Sequence, residues 1–331
     1  MENNVVLSQI GNTPLVRWKQ ASELTGCNIY GKAEYFNPGE SVKDRAALFI
    51  VQDAIKKKLI TKGGTVVEGT AGNTGIGLAV VCKEYGLNLK IVIPKTQSIE
   101  KKETLKKLGA ELIEVEAVPY SNPKNYIKQS KQIAEDLNKT TNKGVFWANQ
   151  FDNVVNTDSH IKTTSEEIWK QTAGKVDAFT CAVGTGGTLS GVSIGLKEKN
   201  KNIKIALSDP MGSSLYSYIK NNKLENIGSS ITEGIGTARI TKNFEKAIID
   251  DAFQTDDTEA LNLIFDLIEK QKIILGGSSG INIAGAIKLA KKMGPGKTIV
   301  TILCDHGKRY ASKIFNKKFL KSKNLPVPKW L

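Results

Sequence analysis

Short runs of β-branched and apolar residues alternate with helical patterns from about residue 65 onward, and no other feature of the sequence constrains the fold as strongly. The strand-like runs are TVVEG (65–69), LKIVIP (89–94), AELIEVE (110–116), GVFWAN (144–149), DAFTCAV (177–183), IKIALSDP (203–210) and TIVTILCD (298–305). Gly86 and Gly109 follow two of the intervening helical patterns, where a helix usually ends. The alternation predicts an α/β protein whose parallel sheets carry helices on both faces. Sites in such sheets lie where strands end and helices begin.

The size and charge of the chain narrow its class. Its 331 residues are 40% hydrophobic and 24% charged, which suits a globular protein of two lobes. The formal net charge of +14 comes from lysine groups on several predicted helices, and no aromatic residues interleave with them as in a base-stacking surface. We therefore expect a solvated basic surface that attracts small anions, and no nucleic-acid partner.

Membrane and disulfide signals are both missing from the sequence. No apolar stretch reaches membrane-spanning length and the N-terminus lacks a signal-peptide pattern, so we expect a cytoplasmic protein with no membrane partner. Cys27, Cys82, Cys181 and Cys304 stand singly, without a C-x-x-C pair. This spacing predicts reduced thiols packed in the core, and no zinc site.

Three strand-to-helix turns are rich in glycine and hydroxyl groups: GTAGNTG (69–75), GTGGT (184–188) and GGSSG (276–280). The second follows DAFTCAV and opens a helical pattern, so its backbone N–H groups, two threonines and the helix dipole together resemble a phosphate cradle. Each turn taken alone could equally be an ordinary tight turn.

Several familiar motifs do not fit these turns. Neither the turn at Gly72 nor the turn at Gly184 has the glycine spacing of a dinucleotide fingerprint, and GPGKT (294–298) follows a helix, as a helix-to-strand turn does. With only two histidines, a histidine-rich metal site is excluded. A triad of Cys304 and His306 is disfavoured, because Cys304 ends an apolar strand and is expected to pack.

Lys43 is the candidate reactive residue. It lies in FNPGESVKDR (36–45), where Asn37 to Gly39 predict a turn and Ser41 is the predicted N-cap of a helix. In the first helical turn the positive end of the dipole disfavours a protonated amine. A deprotonated lysine condenses with aldehydes, and pyridoxal phosphate is an aldehyde cofactor with one phosphate to hold. The alternative is a surface lysine at a helix start.

Seven blocks in a fixed order identify a family resemblance. They are IGNTPLV, NPGESVKDR, EGTAGNTGIGLA, NQFDN with TTSEEIW, VGTGGTLSG, EGIG and GGSSGIN, spread from about residue 8 to about residue 312. In this order they resemble the cysteine synthase (O-acetylserine sulfhydrylase) and cystathionine β-synthase family of pyridoxal phosphate enzymes. The resemblance implies the tryptophan synthase β-subunit type of fold (PLP fold type II), with two three-layer α/β/α lobes and mainly parallel sheets. We expect a smaller, mobile lobe at 43–155 and a larger lobe formed by 1–42 and 156–331.

The resemblance also implies roles for individual residues. Lys43 matches the catalytic lysine that bonds the cofactor, Asn73 the partner of its ring hydroxyl, and Ser278 the serine that faces its pyridine nitrogen. The phosphate loop matches Gly184, Thr185, Gly186, Gly187 and Thr188. Contacts to the substrate match Thr70, Ala71, Gly72, Thr74, Gln150 and Gly234. A neutral serine hydroxyl leaves the ring nitrogen largely unprotonated, which favours expulsion of a β-leaving group.

The implied reaction is β-replacement, in which O-acetyl-L-serine or a related activated serine reacts with sulfide through an aminoacrylate intermediate to give L-cysteine. Three departures from the family pattern mark a divergent cysteine synthase branch: Ala71 in the carboxylate loop, NVVNT (153–157), and CDHGKRY (304–310). They leave open a cystathionine β-synthase-like or cysteine desulfhydrase activity. They also leave open a weakly catalytic homologue that binds serine acetyltransferase. The resemblance suggests a homodimer.

Overall fold

The computed structural model describes residues 4–331 and contains two separate sheets. The strands, numbered along the chain, are β1 (Leu15–Arg17), β2 (Asn28–Ala33), β3 (Thr65–Gly69), β4 (Asn88–Pro94), β5 (Glu111–Val115), β6 (Val145–Trp147), β7 (Ala178–Cys181), β8 (Lys204–Pro210), β9 (Asp251–Thr255) and β10 (Thr298–Leu303). The helices are α1 (Val5–Ser8), α2 (Lys19–Thr25), α3 (Lys43–Lys56), α4 (Asn73–Tyr85), α5 (Ile99–Lys107), α6 (Tyr126–Asn138), α7 (Val155–Ser159), α8 (Glu166–Gln171), α9 (Gly187–Lys199), α10 (Leu215–Asn221), α11 (Asp257–Gln271), α12 (Gly277–Met293) and α13 (Lys317–Ser322). A π-helical turn, His160–Ser165, joins α7 to α8.

Both sheets are built mainly from parallel strands, as the alternating pattern predicts. One sheet has the order β5-β4-β3-β6 and is entirely parallel; the other has the order β1-β2-β10-β7-β8-β9. In the larger sheet only β1 runs antiparallel, against β2. All seven predicted strand runs form strands. The edge strands β1 and β9, and the strand β2, lie outside those runs.

Apolar residues fill the space between the sheets and their helices. One cluster joins α3 and α4 to the four-stranded sheet, and two further clusters cover the two faces of the six-stranded sheet. Helices α3 and α4 approach closely at Gly77, where a Cβ would lie only 3.1 Å from the Asp44 carboxylate. Glycine at this position lets the two helices that begin at Lys43 and Asn73 pack side by side.

A buried cluster of four charged residues, which we call the Arg45 cluster, fastens α3 to the six-stranded sheet. Arg45 binds Glu34 through Nε (2.7 Å) and Nη2 (2.8 Å), and binds Glu167 through Nη1 (2.6 Å). Lys32 in β2 completes the cluster with a 2.6 Å ion pair to Glu167. Two positive and two negative groups therefore compensate one another two residues beyond Lys43, as buried charges require.

The cysteines and the helices add two findings. All four cysteines are free thiols; three of them are buried and Cys304 is partly exposed. Over residues 4–331, no helix is long and apolar enough to cross a membrane.

Candidate active site

A cavity of about 670 Å³ opens where the ends of strands from both sheets meet, and most of the candidate site residues line it. The candidate residues on its wall are Lys43, Thr70, Ala71, Asn73, Thr74, Gln150, Gly184, Thr185, Gly234 and Ser278. Gly186 and Thr188 line a small adjoining space that also touches Lys43. Gly72 and Gly187 line neither space, although the residues on both sides of each one do. The structure thus brings the predicted residues together from positions up to 235 apart in the sequence.

Lys43 is the first residue of α3. Val42 occupies the N-cap, so the predicted cap at Ser41 is wrong by one position; the Ser41 hydroxyl instead accepts a 3.3 Å hydrogen bond from the Lys43 backbone N–H. The Lys43 amine has neither a hydrogen-bond nor an ion-pair partner among residues 4–331, although it lines the cavity. An amine in this position is available to a ligand.

The loop of residues 69–72, which leads into α4, is shaped by its glycines and threonines. Gly72 has φ +125°, and a Cβ there would lie 2.7 Å from the Lys101 side chain, so only glycine fits. The Thr70 hydroxyl accepts the Gly72 N–H at 3.1 Å. Helix α4 then starts at Asn73, so its first backbone N–H groups lack intrahelical partners. An anion is favoured at such a helix end.

Gln150 connects this loop to the rest of the cavity wall. Its side-chain oxygen accepts a 2.5 Å hydrogen bond from the Thr74 hydroxyl, and its backbone oxygen accepts the Asn156 amide at 2.9 Å. Asn156 also donates to the Thr185 hydroxyl at 3.0 Å. The carboxylate-loop candidates and the phosphate-loop candidates therefore share one hydrogen-bond network.

The turn at 184–188 has the geometry of an anion cradle. Helix α9 begins at Gly187 and is thirteen residues long, and Gly186 precedes it with φ +91°. A Cβ on Gly186 would lie 2.6 Å from the Phe244 backbone nitrogen, and one on Gly184 would overlap the Gly234 carbonyl. Thr188 is held by His160, whose Nε2 lies 3.2 Å from its hydroxyl. Bare backbone at these positions suits a phosphate group.

His160 is neutral in this setting. Burial, reinforced by nearby Arg45, lowers the pKa of His160 to about 3, so the imidazole carries no charge at physiological pH. Its Nδ1 lies 2.8 Å from the Thr164 hydroxyl, within the π-helical turn. Such turns are frequent at functional sites, and here the turn aims a rigid imidazole at Thr188.

Ser278 stands in the first turn of α12, and its neighbour across the cavity is Cys304. Cys304 follows β10 and packs against one of the core clusters, as expected, but it is partly exposed and also lines the cavity; the Asn282 amide donates to its thiol at 3.2 Å. Burial raises the pKa of Cys304 to about 11, and His306 bonds the Lys308 N–H instead of the thiol. A neutral Cys304 is a poor nucleophile, in agreement with the disfavoured triad.

Charged residues gather at the side of the cavity near Gly234. Glu233 is the single carboxylate among the cavity-lining residues of the described chain, and it pairs with Lys101 (2.6 Å) and with Lys313. Burial lowers the pKa of Lys101, and the Glu233 charge opposes that shift. Lys101 also lies 4.4 Å from the centre of the Tyr310 ring. These contacts join α5 to the segment around Glu233, at the start of EGIG (233–236).

The residues present fit pyridoxal phosphate. The cofactor needs an amine for its aldehyde, a cradle for its phosphate, a donor for its ring oxygen and a neutral group for its ring nitrogen. Lys43, the 184–188 turn, Asn73 and Ser278 offer these groups on one cavity. Its volume lies within the usual range for small-molecule sites, roughly 300 to 1,000 Å³.

Several polar residues at or behind the cavity wall have no predicted role. Lys101, Asp305 and Arg309 gave no usable signal, because each one meets its partner only through the tertiary fold. The flagged segment CDHGKRY did contain two of them. His160 has no role in the sequence-based prediction beyond being one of only two histidines.

Comparison with known proteins is consistent with this geometry. The chain matches the family model described as "Pyridoxal-phosphate dependent enzyme" over residues 6–305. It is 50% identical over 321 residues to cysteine synthase 1 of Neurospora crassa, covering 96% of this chain and 84% of that protein.

Two solved structures are similar throughout. One is an O-acetylserine dependent cystathionine β-synthase from Helicobacter pylori, with a TM-score of 0.84 and 32% identity, covering 95% of this chain and 98% of that one. The other is a hydrogen sulfide-producing enzyme from Fusobacterium nucleatum, with a TM-score of 0.82 and 36% identity, covering 93% of this chain and 99% of that one.

Proposed function

The chain belongs to the family of pyridoxal-phosphate dependent enzymes, and we propose that it makes L-cysteine from O-acetyl-L-serine and sulfide by β-replacement. The observation that carries the proposal is one cavity that combines the unpartnered amine of Lys43 with two anion cradles, at 69–75 and at 184–188. One cradle suits the cofactor's phosphate and the other suits the substrate's α-carboxylate.

Four groups of this chain would hold the cofactor. Lys43 would bind its aldehyde carbon, the 184–188 turn its phosphate, Asn73 its ring oxygen and Ser278 its ring nitrogen. When bound, pyridoxal phosphate supplies an electron sink for the bonds at the substrate Cα. A hydroxyl at Ser278, in place of a carboxylate, keeps that sink weak and favours loss of the β-substituent.

The substrate's carboxylate would be held by the loop before α4 and by Gln150. The Thr70 and Thr74 hydroxyls, with the N–H groups of Ala71 and Gly72, surround the positive end of the helix. Because the Thr74 hydroxyl now donates its one proton to Gln150, it would have to turn from Gln150 to the carboxylate when the substrate binds. Gly234 would line the entrance beside the substrate's side chain. A Cβ built on Gly234 would meet no atom within 4 Å, so the space next to it is open.

Lys43, released when the substrate's amine takes its place on the aldehyde carbon, would then move one proton. Its Nζ takes the proton from the substrate Cα, the Cβ–O bond breaks, and acetate leaves with the electron pair. Hydrosulfide forms the Cβ–S bond, and Lys43 returns the proton to Cα. Atoms balance as O-acetylserine and hydrosulfide giving cysteine and acetate. Movement of the 43–155 lobe over the substrate would exclude water during these steps.

We also propose a homodimer in the cytoplasm, with serine acetyltransferase as a candidate partner. The four free thiols agree with a reducing compartment. The homodimer and the acetyltransferase partner rest on the family resemblance.

The second candidate is a cystathionine β-synthase-like activity, supported by the likeness to the Helicobacter pylori enzyme. A competition assay separates the two. Purified holoenzyme receives O-acetylserine with equal sulfide and homocysteine, and the amino acids formed are separated by chromatography. We expect cysteine to dominate; cystathionine as the main product would favour the second candidate. Lys43→Ala should abolish both products, while Lys56→Ala, an exposed lysine of the same helix, should not. Formation of neither product by the parent would refute both.

A further inference from the structure

Asp305 lies directly behind Asn73, in the CDHGKRY segment that departs from the family pattern. It is fully buried at the end of β10, and its Oδ2 accepts two hydrogen bonds of 2.6 Å, from the Asn73 amide nitrogen and from the Tyr310 hydroxyl. Its backbone oxygen accepts the Gly276 N–H at 3.2 Å. The Tyr310 hydroxyl thus holds the same carboxylate oxygen that contacts Asn73, and the Gly276 N–H holds the Asp305 backbone, while Oδ1 has no hydrogen-bond partner among residues 4–331.

The partners of Asn73 determine which way its amide points. Arg309 Nη1 lies 2.8 Å from Asn73 Oδ1, and Asp305 Oδ2 lies 2.6 Å from Asn73 Nδ2. A guanidinium can only donate and a carboxylate can only accept, so the reverse orientation of the amide would place like groups together at both ends. The second N–H of Asn73 is left as a donor for a ligand in the cavity that Asn73 lines.

Tyr310 keeps Asp305 in the accepting role. Burial, and next the Asp305 charge, raise the pKa of the Tyr310 phenol well above its usual value, so the phenol stays protonated and donates. Gly276 makes room for the carboxylate, because a Cβ there would overlap Asp305 Oδ1.

We propose that Asp305 is a positioning residue that, together with Arg309, commits the Asn73 amide nitrogen to donate to the ring oxygen of the bound cofactor. The inference rests on the proposed function, because it requires pyridoxal phosphate to bind beside Lys43. Asp305 itself does not touch the cofactor; it acts through Asn73 alone. Removing the carboxylate frees the amide to turn, and the cofactor then loses a reliable donor.

The test is a double-mutant cycle on cofactor affinity. The dissociation constant of pyridoxal phosphate is measured by titrating the apoenzymes of the parent, Asp305→Asn, Asn73→Ala and the double variant. Asparagine has the shape of aspartate but can donate as well as accept. We expect Asp305→Asn to weaken binding about two- to tenfold in the parent and to have no further effect once Asn73 is alanine. The absorption spectrum of each loaded enzyme is a second readout, because loss of the donor shifts the balance between long- and short-wavelength cofactor bands.

Asp251→Asn is the matched control. Asp251 also accepts from several donors, the Lys220 and Lys292 amines and the Ala252 N–H, but it begins β9, at the end of the sheet away from the cavity. Asp251→Asn should leave both the dissociation constant of pyridoxal phosphate and the absorption spectrum of the loaded enzyme unchanged. If Asp305→Asn shows no cooperative unfolding transition, Asp305→Ser replaces it in the cycle, because a serine hydroxyl is too short to reach Asn73.

Equal weakening by Asp305→Asn in both backgrounds, or no weakening in either, would overturn the inference. Failure of the parent to bind the cofactor at all would instead refute the proposed function, so the two failures are distinct.

Discussion

Replacing Glu34 with glutamine is expected to lower the free energy of unfolding by about 3 to 5 kcal/mol. Glu34 is fully buried and accepts four hydrogen bonds: two from Arg45 at 2.7 and 2.8 Å, one from the Thr13 hydroxyl at 2.7 Å and one from the Asn37 amide at 2.9 Å. In Glu34→Gln the Arg45 cluster keeps two cations and only one anion, Glu167. The glutamine NH2 group would also face guanidinium donors.

The pKa of Glu34 supports the same magnitude. Burial alone would raise the pKa of Glu34, but attraction and hydrogen bonds from Arg45 outweigh burial and lower it from 4.5 to about 2. A pKa difference of that size between the folded and unfolded states corresponds to about 3 kcal/mol of folding stability at neutral pH. Because the folded-state pKa is depressed, this stabilisation is present above pH 4.5 and is lost as the pH falls toward 2. The stability difference between parent and variant should shrink over that window.

Urea unfolding followed by tryptophan fluorescence measures the effect, at one fixed cofactor concentration because a ligand of the native state adds to apparent stability. The control is Glu116→Gln, which breaks an exposed ion pair with Lys95 and should change stability by less than about 1 kcal/mol. A loss in Glu34→Gln no larger than in this control would refute the reasoning, since it would mean that the buried cations need no second carboxylate.

Three further predictions concern the site. Borohydride reduction of the holoenzyme should fix the cofactor to Lys43, and peptide mass spectrometry that finds it on another lysine would contradict the site assignment. Gly186→Ala should greatly reduce cofactor retention after dialysis, because the residue has φ +91° and a Cβ would lie 2.6 Å from Phe244 N; full retention would assign the turn another role. Ala71→Ser should weaken binding of an unreactive O-acetylserine analogue, read from the cofactor band, because NVVNT and CDHGKRY also depart from the family pattern and indicate a site altered in concert around alanine, in which an added hydroxyl is left crowded or unsatisfied. Tighter binding of the analogue by Ala71→Ser would instead indicate that the natural alanine is a substitution that the site merely tolerates.

Local signals in the sequence were sufficient for seven of the ten strands and for the turns at 69–75 and 184–188. Strand β3 ends and α4 begins within four residues, so its glycine turn is readable from neighbours alone. The hydrogen bond between Asn73 and Asp305 joins residues 232 apart, and neither residue has a local pattern that names the other. The same holds for Lys101 and Glu233, whose separation is 132 residues. Strand β1 is three residues long, too short for period-two alternation to identify it.

The two helices that begin in the cavity are anchored to the six-stranded sheet at their first turns. Helix α3 is held by the Arg45 cluster, whose other members Lys32, Glu34 and Glu167 lie in or beside that sheet. Helix α4 is held through Asn73 by Asp305 and Arg309, which follow β10. A rotation of the four-stranded sheet with its helices would therefore pivot near Lys43 and Asn73, where displacements are smallest. The cofactor contacts at these two residues would keep their geometry, whereas any movement of α5 would first have to break its own contacts with the rest of the cavity wall, the Lys101–Glu233 ion pair and the hydrogen bonds between Glu100 and Ser312.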